Sequence, residues 1–284
     1  GKKIVLPLVG REIPIISDKY VDPEFGTGCV KITPAHDPND FLMGEKHDLK
    51  FINIMNDDAS MNSNVPDKYI ALSRDQARKE IVKDLENLGL LEKKEDYKTK
   101  IGYSERGQVP IEFYMSEQWF MKMDKLIKPV MDAVDKEKIN FHPKHWSKTY
   151  NHWLLNIKDW CISRQLLWGH QIPVWYHKDD KTKIHVSVNG PSDRENWVRD
   201  TDVLDTWASS WIWPMGVHTW PEEDEGLKKF YPTNTLVTGP DIIFFWVARM
   251  IMSGYEFMGQ LPFKDVYFTS ILRDDTGQKL SKSL

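Results

Sequence analysis

Residues 235–268 limit the fold more than any other part of the chain. Leu236, Val237 and Thr238 read as a short strand and Gly239-Pro240 as a turn. Residues 241–252 read as a helix, and residues 266–268 as a second strand. A strand, a helical crossover and a strand make a βαβ unit, and such units build parallel sheets of the α/β class. In doubly wound sheets, ligands bind beyond the carboxyl ends of the strands. At Gly239 the missing side chain lets a ligand approach the backbone closely, and the Asp241 carboxylate can accept hydrogen bonds from ribose hydroxyls. The same residues also suit plain capping, because Gly then Pro opens a helix and Asp favours its first turn. The apolar run 242–252 is interrupted by Arg249 and is too short to cross a bilayer.

Lys279-Leu280-Ser281-Lys282-Ser283 follows Asp274-Asp275-Thr276-Gly277. A glycine-containing loop with two lysines and two serines can move onto a polyphosphate. Ammonium groups are compact, strongly hydrated charges that suit phosphate and stabilise charge developing in a transition state. Taken alone, the run also reads as a polar surface loop. Nearer the start, residues 25–40 (FGTGCVKITPAHDPND) read as a glycine turn, a short strand and a polar loop. Lys31 and Thr33 share one face of that strand by its period of two. Asp37 and Asp40 can both face a cationic amine, although Asp and Asn also fold back on their own backbone in turns. His36 has no second His or Cys at ligand spacing and reads as structural. Asp202-Val203-Leu204-Asp205-Thr206-Trp207 reads as a capped turn feeding an aromatic pocket, with no chemistry of its own.

Before residue 70, the runs 4–9, 13–16, 30–33 and 51–54 read as strands. Ser73 and Gln76 then form a capping box for an amphipathic helix. Its apolar face is Ala77, Ile81, Leu85 and Leu88, and Gly89 ends it. Beyond about residue 110, tryptophans dominate. Trp153, Ile157, Trp160, Arg164 and Trp168 have helical spacing, and core packing is the plain reading of the rings. The net charge of −4 excludes a general electrostatic grip on RNA and leaves only local basic patches. Cys29 and Cys161 form no metal-type pair, which points to a reducing compartment without a disulfide framework.

In this order the segments resemble the class I aminoacyl-tRNA synthetases that charge branched aliphatic amino acids. Residues 279–283 look like that family's KMSKS loop, with Leu280 in place of Met, a volume-conserving change. Residues 33–40 (TPAHDPND), 202–207 (DVLDTW) and 239–250 (GPDIIFFWVARM) bring the likeness nearest to the valyl-tRNA synthetase branch. Residues 160–176 (WCISRQLLWGHQIPVWY) fit the whole group, and the resemblance covers essentially the entire chain. The alternatives are the sister isoleucyl enzyme, a non-catalytic RNA-binding module of synthetase descent, and a tryptophan-rich carbohydrate binder, against which the helical spacing of the tryptophans speaks. Lys279 and Lys282 speak against the second.

The resemblance implies an α/β fold in two parts. Residues 1–110 are the C-terminal portion of an inserted β-rich (β-barrel) editing domain. Residues 111–284 are the second half of a Rossmann-like catalytic domain, ending in the KMSKS loop. It implies ligation of valine to tRNA(Val) through valyl-adenylate, with ATP and its Mg2+ as substrate. By resemblance, Gly239, Asp241 and Ser281 hold ATP and the adenylate, and Lys279 and Lys282 bind the triphosphate, with Lys282 stabilising the charge of the departing pyrophosphate. Trp207, Ile242 and Trp246 wall the valine pocket, the last two sharing a helix face by their spacing of four. A valine pocket rejects threonine only about a hundredfold, a known figure for the valine enzymes themselves. Hydrolytic editing of threonyl-tRNA(Val) is therefore implied, in a pocket lined by Phe25, Lys31, Thr33, Asp37 and Asp40, with Asp40 and Asp37 at the substrate's α-amino group.

The implied setting is cytoplasmic, with a monomer and no membrane. The family's HIGH motif and the threonine- and arginine-containing strand of its editing pocket do not occur in these residues. Gly1 has no Met before it, and Leu284 directly follows the lysine–serine run, so the chain reads as an internal piece. These residues alone are not expected to activate valine. Where some relatives carry cysteine pairs, residues 103–107 read YSERG and residues 177–180 read HKDD, so no structural zinc is expected.

Overall fold

The strands on either side of the Gly239-Pro240 turn and its helix lie side by side in the computed structural model, which describes residues 1–104, 107–222 and 224–280. The chain divides into two compact units, Gly1–Glu117 and Gln118–Leu284.

In the first unit, β1 (Lys3–Leu6) and β2 (Arg11–Pro14) pair antiparallel, with Ile4 opposite Ile13. Helix α1 (Pro38–Lys46) starts on Asp37, whose carboxylate accepts the amides of Asn39 and Asp40, with Pro38 opening the first turn. Its far end is tied to Asp18, which accepts hydrogen bonds from Lys46 (2.6 Å) and His47 (2.7 Å). Those two bonds and the Tyr20 amide hold the Asp18 carboxyl well below the usual carboxylate range. Helix α2 (Arg74–Asn87) opens on the expected reciprocal bonds between Ser73 and Gln76, and Gly89 follows it at φ 65°. A small core of Met55, Met61 and Ala77 sits under it.

Among the described residues no closed barrel forms, and the strands expected at 30–33 and 51–54 are absent. The backbone hydrogen bonds explain why. The Thr33 amide donates to the Asp40 carboxylate (2.7 Å), and the Ile54 amide donates to His36 Nε2 (3.0 Å). The Asn53 carbonyl accepts the side-chain amides of Asn62 (3.0 Å) and Asn64 (2.7 Å). Polar side chains have taken the groups that a sheet ladder would use.

The second unit runs β3 (Phe120–Met121), α3 (Asp124–Asp135), β4 (Asn140–His142), α4 (Trp146–Leu155), β5 (Trp160–Cys161), β6 (Ser163–Arg164) and β7 (Val174–His177). It continues through β8 (Ile184–Val186), β9 (Trp197–Arg199), β10 (Val203–Leu204), α5 (Thr206–Ser210), α6 (Trp213–Gly216), α7 (Glu225–Phe230), β11 (Thr235–Thr238), α8 (Ala248–Met258) and β12 (Asp265–Phe268). Strands β11, β12 and β4 form a parallel sheet with β12 in the middle, aligning Leu236, Val266 and Phe141. Short antiparallel sheets pair β3 with β5, β6 with β10, and β7 with both β8 and β9.

Every residue of α8 from Ala248 to Gly254 is buried, the pattern of a helix covered on all sides. It packs against α3 and α6, and Met250, Ile251 and Met252 are fully buried. Each such side chain contributes about 1.5–3 kcal/mol of burial. The helix predicted over 241–252 exists, but its start is not α-helical. Residues Pro240–Ile242 form a 3-10 turn and Ile243–Val247 a π turn, and the α-helix continues to Met258.

The helical spacing read across Trp153 to Trp168 does not survive. Helix α4 ends at Leu155, where the Asn156 carboxamide donates back to the His152 carbonyl (2.8 Å) and closes the last turn. Trp160 and Arg164 then lie in strands. Trp160 is a core ring as expected, whereas Trp168 is 92% exposed. Among the described residues no helix is long and apolar enough to cross a membrane.

Gly254 shows how closely α8 is packed. A Cβ there would lie 2.7 Å from Tyr231 Oη, 2.9 Å from Pro262 Cδ and 3.0 Å from the Gln260 carbonyl. Alanine gains roughly 1 kcal/mol of helix propensity over glycine, but overpacking of this kind costs about 1–3 kcal/mol. Gly254→Ala is therefore expected to lower stability in urea denaturation. Stability at or above that of the parent would mean that the 260–262 segment can yield.

Candidate active site

The carboxyl end of β11 leads through Gly239 and Pro240 to Asp241. Gly239 has an ordinary φ of −76°, so no left-handed backbone demands glycine there. A Cβ would, however, lie 2.6 Å from Asp241 Oδ1, so glycine leaves room for that carboxylate. Asp241 forms an ion pair with Lys279. Lys279 reaches it from a tight hairpin. The Leu280 amide donates to the Leu272 carbonyl (3.1 Å), and Arg273 pairs with Lys279. Asp274 Oδ1 closes the turn by accepting the Thr276 amide (3.0 Å), the Thr276 hydroxyl (2.8 Å) and the Gln278 amide (2.7 Å). The Thr276 hydroxyl, then the Gln278 amide, hold the Asp274 carboxyl below its ordinary range. Gly277, at φ 82°, occupies the left-handed position that this turn requires. The structure thus brings together Gly239, Asp241 and Lys279. Ser281 and Lys282 lie outside the described residues.

The π turn sends three consecutive rings to three different partners. Phe244 stacks on Trp153 (centroids 4.7 Å apart, 13° between planes), and Phe245 stacks on Trp207 (5.7 Å, 23°). Trp246 Nε1 donates to the Ser210 carbonyl (2.9 Å). Phe245 and Trp246 therefore reach opposite ends of α5, at Trp207 and at Ser210. Ile242 is half-buried, and the backbone between it and Trp246 passes from a 3-10 to a π turn, not along the α-helix from which their shared face is read. Beside these rings lies a cleft of about 540 Å³, lined by Trp153, Trp160, Trp207, Phe245, Arg164 and Arg249 among others, but not by Ile242 or Trp246.

Two residues unassigned from sequence stand at the centre of this region. Asp205 is 7% exposed. Its Oδ1 accepts the Trp207 amide (3.2 Å), and its Oδ2 accepts Trp160 Nε1 (2.9 Å) and an Arg164 guanidinium N–H (3.0 Å). The buried Arg249 lies 3.6 Å from the same oxygen and stacks 3.5 Å above the Trp160 ring. Burial, with Arg164 adding to it and Asp205 opposing, pushes the Arg249 guanidinium down to about 10. The sequence carries signals for both. Asp205 has the position of a helix cap before Thr206-Trp207, and Arg249 is a charge inside an apolar run.

The first unit holds a separate polar cluster. Asp40 is buried and accepts both the amide (2.7 Å) and the hydroxyl (3.2 Å) of Thr33, while Asp37 caps α1 one turn away. His36 is structural, as expected. Its Nε2 accepts the Ile54 amide, and its Nδ1 lies 3.0 Å from the Phe113 carbonyl, an arrangement that places the ring proton on Nδ1. Thr33, Asp37 and Asp40 are thus brought together. Phe25 and Lys31 are exposed and take no part in that hydrogen-bonded group. Lys31 and Thr33 also lack the strand that was to align them. Among the described residues no group of three or more His, Cys, Asp or Glu side chains is placed to hold a metal ion.

The family model for tRNA synthetases of class I (I, L, M and V) matches residues 43–190 and 181–284. The valine--tRNA ligase of Bacillus licheniformis is 54% identical over 286 residues, covering 100% of this chain and 32% of that protein. That of Bacillus subtilis is 53% identical over 286 residues, with the same coverage. The chain thus spans about a third of the length of these relatives. A solved structure of Mycobacterium tuberculosis methionyl-tRNA synthetase in complex with methionyl-adenylate aligns with 65% of this chain and 32% of its own, at 17% identity and a TM-score of 0.45. The resemblance to the valine enzymes read from the motifs is borne out along the full chain, and the chain belongs to the tRNA synthetases of class I (I, L, M and V).

Proposed function

We propose that the protein carrying this chain ligates valine to its tRNA and hydrolyses threonine charged in error. The observation that carries the reading is the meeting of Asp241 and Lys279 at the carboxyl end of β11, in a chain that matches valine--tRNA ligases throughout. In the first step a valine carboxylate oxygen attacks the α-phosphorus of ATP. The bond to the bridging oxygen breaks, and pyrophosphate leaves with the negative charge. Asp241 accepts hydrogen bonds from the ribose hydroxyls, and Gly239 gives the nucleotide access to the backbone. Lys279 exchanges the Asp241 carboxylate for phosphate oxygens and stabilises the leaving charge. Lys282 and Ser281 join it by the family resemblance, and Mg2+ accompanies ATP as part of the substrate. Trp207, Ile242 and Trp246 wall the side-chain pocket. In the second step a hydroxyl of the terminal tRNA ribose attacks the activated carbonyl, and AMP leaves.

Editing belongs to the first unit in this reading. Asp40, with Asp37, faces the substrate ammonium, and Thr33, Lys31 and Phe25 complete the pocket. A positioned water then attacks the ester. The test is amino-acid-dependent ATP–pyrophosphate exchange by the whole protein with valine, threonine, isoleucine and leucine in parallel. Valine is expected to exchange fastest and threonine about a hundredfold more slowly, the known figure for valine enzymes. Faster exchange with isoleucine or leucine, or none with any of them, rejects the reading.

A further inference from the structure

We propose that Asp205, with Arg249 as its counter-charge, is the positioning element of the amino-acid pocket and sets the protein's affinity for its amino acid through Trp207. The inference rests on the reading above that Trp207 walls that pocket. Helix α5 has five residues, too few to hold its own shape. Both of its ends are held by side chains. Asp205 Oδ1 accepts the Trp207 amide at the start, and Trp246 Nε1 donates to the Ser210 carbonyl at the end. The other oxygen of Asp205 gathers β5 through Trp160, β6 through Arg164 and α8 through Arg249.

The ring of Trp207 leads to the same pair by a second route. It stacks on Phe245, and the Arg249 guanidinium lies 5.9 Å from the Phe245 ring while covering Trp160 at 3.5 Å. Backbone and ring of Trp207 are thus both referred to one carboxylate–guanidinium pair. The pair is a poor device for stability alone. Arg249 Nε and one terminal nitrogen are buried without a hydrogen-bond partner, and well-packed apolar side chains often stabilise a core as well as a buried ion pair does. What the pair supplies is direction, because a carboxylate accepting from three elements fixes their relative placement.

Asp205→Asn keeps one acceptor oxygen but removes the charge and sets an NH2 group against either the Trp207 amide or the Arg164 and Arg249 guanidinium groups. In pyrophosphate exchange by the full-length protein, this variant is expected to raise the KM for valine about tenfold while the KM for ATP stays within about twofold, since the nucleotide contacts at Gly239, Asp241 and Lys279 are untouched. Arg249→Lys keeps the charge but loses the planar stack on Trp160, and is expected to raise the valine KM several-fold in the same selective way. Trp207→Leu serves as the reference for the pocket. If Trp207→Leu raises the valine KM and Asp205→Asn does not, the positioning role is rejected while the pocket stands. If Trp207→Leu leaves the valine KM unchanged, the pocket assignment fails and takes this inference with it. A fall in kcat with both KM values shifting alike marks a merely structural residue and also rejects the role. Should Asp205→Asn not yield folded protein, Arg249→Lys decides: a selective rise in valine KM upholds the inference, and an unchanged value overturns it.

Discussion

Replacing Lys279 with alanine is expected to slow valine-dependent ATP–pyrophosphate exchange by about two to three orders of magnitude, the loss typical when one preorganised charge donor is withdrawn from a transition state. The drop falls on kcat, because the charge that Lys279 meets on the leaving pyrophosphate is greater in the transition state than in bound ATP. Folding is not at issue. Lys279 is 56% and Asp241 36% exposed in their ion pair, and an exposed pair of this kind contributes at most about 1 kcal/mol. The variant should therefore melt close to the parent, and the kinetic loss can be read without correction. Lys279→Arg keeps the charge but changes a compact ammonium into a planar fork, so partial activity is expected from it. Exchange within twofold of the parent in Lys279→Ala would remove Lys279 from the phosphate site.

Asp40→Asn carries the second large effect, on editing alone. The asparagine oxygen can still accept from Thr33, which Asp40 now holds by both amide and hydroxyl, so the loop keeps its shape. What is lost is the negative charge that the substrate ammonium would meet. Deacylation of threonyl-tRNA by the full-length protein is expected to fall about a hundredfold, the penalty of a reactant no longer held in its attack position. Valine-dependent exchange should be unaffected. Asp40 also lies in the first turn of α1, where a negative charge is favourable by about 0.3–1 kcal/mol, so the stability cost is small. Threonyl-tRNA cleared at the parent's rate would reduce Asp40 to a brace for Thr33.

The parts of the fold that are legible in the sequence are those governed by local chemistry. The capping box at Ser73 and Gln76, the glycine stop at Gly89 and the strand–turn–helix–strand order around Gly239 each depend on residues a few positions apart. The illegible parts depend on distant partners. Residues 30–33 have strand character, yet the Thr33 amide is satisfied by a carboxylate seven residues on. Trp160 keeps helical spacing with Trp153, but its indole N–H belongs to Asp205, 45 residues away, and its backbone pairs with Met121. For the site, the Gly239, Asp241 and Lys279 assignments came from motif order, and the geometry brings those three residues together. Asp205 and Arg249 lie inside the stretches that carry the resemblance, but their partners Trp160 and Arg164 are 41 or more residues away from them, and no motif links those partners to them.

The π turn at Ile243–Val247 has a consequence best put as rotational phase. A π turn closes i to i+5 where an α turn closes i to i+4, so it takes up one extra residue in a single turn and leaves the helix beyond it nearly in phase. Deleting a single residue and regularising this turn would therefore keep the buried run Ala248–Gly254, Arg249 included, close to its present direction and still able to pack. The extra ring of the turn would nonetheless be lost. Phe244, Phe245 and Trp246 could then no longer all reach Trp153, Trp207 and Ser210. A single-residue deletion here is thus expected to spare the core and misalign the pocket, so that insertions and deletions in this helix test the site more sharply than most substitutions.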